Sequence, residues 1–106
     1  MTKQILAHSK HGYIAVCKNC GNYQLSLGTT GMCLNYEEFM SFSEMVFEES
    51  KFPEEIEMQN LKSIQIPTLN DNIQVVLTYN ELLHLKNILE EALVMIQVHN
   101  ILEPKN

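Results

Sequence analysis

The spacing in this chain best suited to chemistry is Cys17-Lys18-Asn19-Cys20-Gly21. A C-x-x-C-G turn aims two thiolates and nearby amides at one point, and its glycine supplies the positive φ such a turn needs. Three readings stay open: a metal site with zinc as the candidate ion, a plain hairpin turn with idle thiols, and a redox pair. A closed zinc site wants four ligands, and Cys17 and Cys20 are only two. His8 and His11, spaced H-x-x-H, look like the missing half. If residues 12–17 are extended, however, Cys17 stands about 20 Å from His11. Cys33 meets the same obstacle, because a strand over 22–27 carries the chain away from the turn. The site closes only if the N-terminus is not a strand or if another chain contributes. Redox pairs of the thioredoxin kind sit where a strand enters a helix, which lowers the thiol pKa. Here a second strand follows.

The remaining chemical residues assemble no catalytic set. There is no G-x-S-x-G, no phosphate-cradling loop and no H-E-x-x-H. Gly28-Thr29-Thr30-Gly31 lacks the lysine of a phosphate loop and reads as the link from a strand to the first helix. Glu37/Glu38 and Glu54/Glu55 are adjacent in sequence, so on a helix they point apart and form no acid/base dyad. His84 and His99 read as surface or interface residues of the second helix. The expectation is a protein without enzymatic activity.

An internal repeat sets the elements that position these residues. LNYEEFMSFSEMVFEE at 34–49 aligns without a gap to LTYNELLHLKNILEEA at 77–92. Asn35 and Thr78 are good N-cap residues, each followed three positions on by glutamate (Glu38 and Glu81), which is the pattern of a reciprocal capping box. This places helices at about 36–50 and 79–102. Strand-like runs lie at 12–17 and 22–27, then at 61–66 and 72–77, and KQILAH near the N-terminus adds a further possible strand. In the second pair Ile64, Ile66, Ile73, Val75 and Leu77 should face one way, and Ser63, Gln65, Gln74 and Val76 the other. The expected fold is α+β: two β-hairpin–α-helix repeats (ββαββα) forming an antiparallel sheet with both helices on one face. Residues 1–106 read as a single domain, with repeat one at about 12–50, a linker at 51–60 and repeat two at about 61–102.

The second helix carries two apolar stripes at 100° per residue. Leu82, Leu85, Ile88, Leu89, Ala92, Leu93 and Ile96 should pack on the sheet. Val94, Met95, Val98, Ile101 and Leu102 lie nearly opposite, and only in the C-terminal half. A helix of this length runs about 36 Å, against a radius of gyration of about 13 Å for such a domain. Its far end should outrun its own core. A homodimer through these five residues, with antiparallel helices, is the expected solution.

Composition narrows the partners. The chain has 106 residues and a net charge of -6, with no arginine to fork onto phosphate. Nucleic acid and anionic membrane are therefore unexpected as partners. The excess of acids over residues 35–59 reads as a solvated face. No apolar run approaches the roughly 18 residues of a membrane helix, and MTKQILAHSKHG lacks a signal-peptide stretch. Three cysteines in such a context point to reduced thiols and to the cytoplasm.

The strings CKNCGNYQLSLG, LNYEEF, KSIQIPT and VLTYNEL, spread over about residues 11–95, resemble a group of short uncharacterised bacterial proteins, a family built on a domain of unknown function. The resemblance implies a stand-alone bacterial cytoplasmic protein and transfers no catalytic residue. The functional expectation is a non-enzymatic interaction or scaffold protein active as a homodimer. The alternative is a small metal-binding or thiol-sensing protein using Cys17 and Cys20. A third reading is an enzyme with a cleft between the repeats, involving His11, Cys33 or His84.

Overall fold

The computed structural model describes residues 3–51, 64–68 and 72–102, with the side chains of the last helix described as far as Val98. The chain runs β1 (Lys3–Ser9), β2 (Gly12–Cys17), β3 (Tyr23–Leu27), β4 (Thr30–Leu34), α1 (Tyr36–Ser50), β5 (Ile64–Pro67), β6 (Gln74–Leu77) and α2 (Tyr79–Leu102). The architecture is α+β, with a four-stranded antiparallel sheet in the order β1-β2-β3-β4 and a separate β5–β6 hairpin.

This corrects the expected ββαββα repeat. The first half holds four strands, because KQILAHS pairs with β2 and because Thr30–Leu34 is a strand. Gly28-Thr29 is a two-residue hairpin turn, not a link to the helix; Gly28 sits at φ 58 and its amide donates to the His11 carbonyl at 2.9 Å. Both helices start where the aligned segments place them, at Tyr36 and Tyr79. The expected linker lies outside the described residues except for Lys51, whose amide caps α1 by donating to the Glu48 carbonyl.

Both helices begin as the cap residues dictate. Asn35 Oδ1 accepts from the Glu38 amide and Glu38 Oε1 accepts from the Asn35 amide, both at 2.8 Å. Thr78 and Glu81 repeat the exchange at 3.1 and 2.9 Å. Each box satisfies two donors that a helix start otherwise leaves orphaned.

One apolar cluster joins both sheets to both helices. Ile14, Leu25 and Leu34 of the large sheet meet Phe39, Phe42 and Val46 of α1, and Leu82, Leu85, Ile88, Leu89 and Ala92 of α2. Helix α2 packs on β1 and β2, and α1 on β4 and β5. Phe39 stacks on Tyr23, with ring centroids 4.8 Å apart and planes 14° apart. On β1, a bulge between Ile5 and Ala7 lets the neighbours Leu6 and Ala7 both reach the core. In the small hairpin Ile66, Val75 and Leu77 are buried and Gln65, Gln74 and Val76 exposed, as the alternation requires. Ile73 departs from it. It precedes β6, is 53% exposed, and gives its carbonyl to the Thr68 hydroxyl.

Candidate functional site

The thiol turn closes the β2–β3 hairpin. The Cys17 amide donates to the Asn22 carbonyl at 2.9 Å and the Gly21 amide to the Cys17 carbonyl at 2.8 Å. Gly21 sits at φ 75, which the tight reversal needs and only glycine adopts freely. The neighbouring Cys20 thiol and the amides of Cys20 and Asn19 favour the thiolate form of Cys17. The Cys20 thiol contact contributes most to holding the Cys17 thiol below its ordinary value; desolvation opposes it. Cys17 is half-buried, Cys20 is exposed, and both are free thiols.

The other candidate ligands stand elsewhere. His8 pairs across the sheet with Tyr13, four positions and therefore about 13 Å along β2 from Cys17. His11 lies beyond the same far end of β2. Cys33 is on β4, opposite Gln24, and is exposed. Among the described residues, no three histidine, cysteine or carboxylate side chains form a group that could hold a metal ion. Of the ligand candidates named from the sequence, Cys17 and Cys20 alone share one turn among the described residues.

His11 does find His84, across 73 residues of sequence, with ring centroids 4.6 Å apart and tilted by 46°. Both border an open cleft of about 550 Å³ with Lys10, Thr29, Gln74 and Glu81. The Glu81 carboxylate is engaged by the Thr78 amide. Cys33 lines a different cavity of about 310 Å³ between β4, α1 and the small hairpin, whose walls include Met32, Phe42, Met45 and Val75. The three residues of the enzymatic reading therefore divide between two cavities.

Helix α2 shows the two sides expected of it. Leu82, Leu85, Leu89 and Ala92 are wholly buried, and Leu93 and Ile96 partly so. On the other side Val94 is 58% and Val98 36% exposed. Met95 is intermediate, because it also packs against the core. Ile101 and Leu102 belong to the helix, but their side chains lie outside the described residues.

A sequence model of the family of unknown function DUF6686 matches residues 1–105. The chain belongs to this family. Neither the search of curated proteins nor that of solved structures found a match. The DUF6686 match spans the thiol turn, both capping boxes and the two-sided helix α2, so each is carried by the family-length unit. Sequence reasoning missed the His11–His84 contact in this DUF6686 chain. Nothing local signals it, since it arises only when the β1–β2 turn meets the second turn of α2. No described helix is long and apolar enough to cross a membrane.

Proposed function

We propose that the chain is a non-enzymatic interaction module that acts as a homodimer in the bacterial cytoplasm, pairing through the C-terminal half of α2. The observation that carries this is Val94, 58% exposed on a helix whose other side is wholly buried at Leu85, Leu89 and Ala92. In the N-terminal half of α2 the same outer side is polar, with His84, Asn87 and Glu91 exposed. On this side of the helix, apolar character begins at Val94. Burying a side chain such as valine contributes about 1.5–3 kcal/mol. A two-fold axis presents Val94, Val98, Ile101 and Leu102 twice, with Met95 at the margin, so one contact covers both patches. In this reading the two α2 helices run antiparallel.

Light scattering coupled to gel filtration tests the proposal. The unsubstituted chain is expected at twice its 12.2 kDa mass, and Val98→Glu at the monomer mass with unchanged helix content. An unsubstituted chain that stays monomeric at about 100 μM, where an association of micromolar Kd is complete, refutes it.

A further inference from the structure

Two imidazoles meet in a cleft away from the proposed dimer contact, since His84 precedes Val94 by about 15 Å along α2. The rings of His11 and His84 have centroids 4.6 Å apart and planes tilted by 46°. They border an open cleft of about 550 Å³ between the β1–β2 turn, the β3–β4 turn, β6 and the start of α2. Both backbones are held. The His11 amide donates to Ser9 Oγ at 3.1 Å, and the His11 carbonyl accepts from the Gly28 amide at 2.9 Å. His84 rides on a helical turn whose neighbours Leu82 and Leu85 are wholly buried and whose start is fixed by the Thr78–Glu81 capping box. The two histidines are themselves exposed, so each ring is free to turn about its Cβ–Cγ bond. That rotation hardly moves the ring centroid, because the bond points almost through it. The 4.6 Å separation therefore holds whichever nitrogen each ring presents to the other.

Neutral imidazole is a ligand for divalent transition metals. A metal–nitrogen bond of about 2.0–2.1 Å sets the ion about 3.2 Å from the centroid of each ring. Two rings on one ion at a right angle then have centroids about 4.5 Å apart, and at the tetrahedral angle about 5.2 Å. The observed 4.6 Å matches the right angle. Cis nitrogens at a right angle belong to tetragonal Cu(II) and Ni(II) sites. We infer that His11 and His84 form a two-imidazole site for a divalent ion of this kind, Ni(II) or Cu(II), with water in the cleft filling the remaining positions. Each neutral ring gives a lone pair to the ion and displaces one water from it; no proton leaves the rings and nothing is oxidised. The Glu81 carboxylate borders the same cleft and offsets the charge of Lys10 there. The two ligands are 73 residues apart in the chain, so only the folded protein offers them together. An ion held by both ties the β1–β2 turn to α2.

Anaerobic calorimetric titration of the untagged full chain with NiCl2, at one fixed chain concentration, is the test. One ion per chain is expected at this site. Losing a residue that merely supports a ligand costs about 10–100-fold in metal affinity, so His11→Ala and His84→Ala should each weaken binding by about tenfold or more. His8→Ala should leave the affinity unchanged. Cys17→Ser should do the same, which separates binding by imidazoles from capture by thiols. NiCl2 should also raise the urea midpoint of the unsubstituted chain and leave that of either His11→Ala or His84→Ala in place, because the unfolded chain does not hold both rings together. Should a histidine variant fail to fold, nuclear magnetic resonance of the unsubstituted chain gives the same answer: the signals of His11 and His84 should shift or broaden first. Histidine variants that bind Ni(II) as tightly as the unsubstituted chain, signals that move first at Cys17 and Cys20, or a midpoint that NiCl2 leaves unmoved overturns the inference. None of these readings depends on whether α2 pairs with a second copy.

Discussion

Replacing Asn35 with alanine isolates the signal that starts α1. The change deletes the Oδ1 acceptor that the Glu38 amide uses at 2.8 Å and leaves the reciprocal bond from the Asn35 amide without its anchor. Alanine tolerates the observed φ of -76° and ψ of 179°, so no backbone strain enters. Helix α1 stays docked through Phe39, Phe42 and Val46, so the loss is confined to the cap. A lost N-cap costs about 1 kcal/mol, within a range of about 0.5–2. The Asn35 pair is exposed, which places it near the middle of that range. With an m value of about 1.5 kcal/mol/M, the urea midpoint should fall by about 0.7 M. Asn35→Gly should cost only a few tenths of a kcal/mol. The assay is equilibrium unfolding followed by circular dichroism at one fixed protein concentration, since pairing would otherwise shift the midpoint by mass action. The reasoning fails if alanine leaves the midpoint unchanged, or if glycine costs as much as alanine.

Two further perturbations follow from the sheet. A Cβ on Gly12 would lie 2.0 Å from the Ser26 carbonyl oxygen, whereas one on Gly31 meets nothing within 4 Å. Gly12→Ala should therefore destabilise by about 2–3 kcal/mol and Gly31→Ala by less than about 1; equal midpoints in urea would refute the difference. Burial raises the Tyr23 phenol above its ordinary value, and neighbouring Tyr36 adds to the shift. The folded chain thus holds this proton more tightly than the unfolded one. Its contribution is complete below the unfolded phenol value and is lost as pH rises through the folded one. Tyr23→Phe should flatten the loss of stability above about pH 10, measured by unfolding at successive pH values; an unchanged slope would disprove the assignment.

What was legible in the sequence was what is encoded locally. The cap at Asn35 and its counterpart at Thr78 gave both helix boundaries, because each start is specified within four residues. The buried stripe of α2 was legible for the same reason, since a 3.6-residue period needs no partner to be recognised. The fourth strand was not legible. Only Met32 and Leu34 of Thr30–Leu34 turn inward, a pattern too short to separate from a linker. The β1 bulge also hid itself, since adjacent buried Leu6 and Ala7 break the alternation by which a strand is recognised. At the site, the thiol turn was readable from five consecutive residues, including the glycine at φ 75. The meeting of His11 with His84, and the cavity behind Cys33, depend on how separate segments dock, which no window of sequence contains.

The capping boxes bear on how such a chain can change. The rotational phase of each helix is locked at its first turn, by bonds that do not involve the strands before it. A hairpin can therefore be gained or lost upstream without spinning the greasy side of the helix away from its seat. Among the described residues the two helices already differ in this way, with four strands before one rod and two before the other.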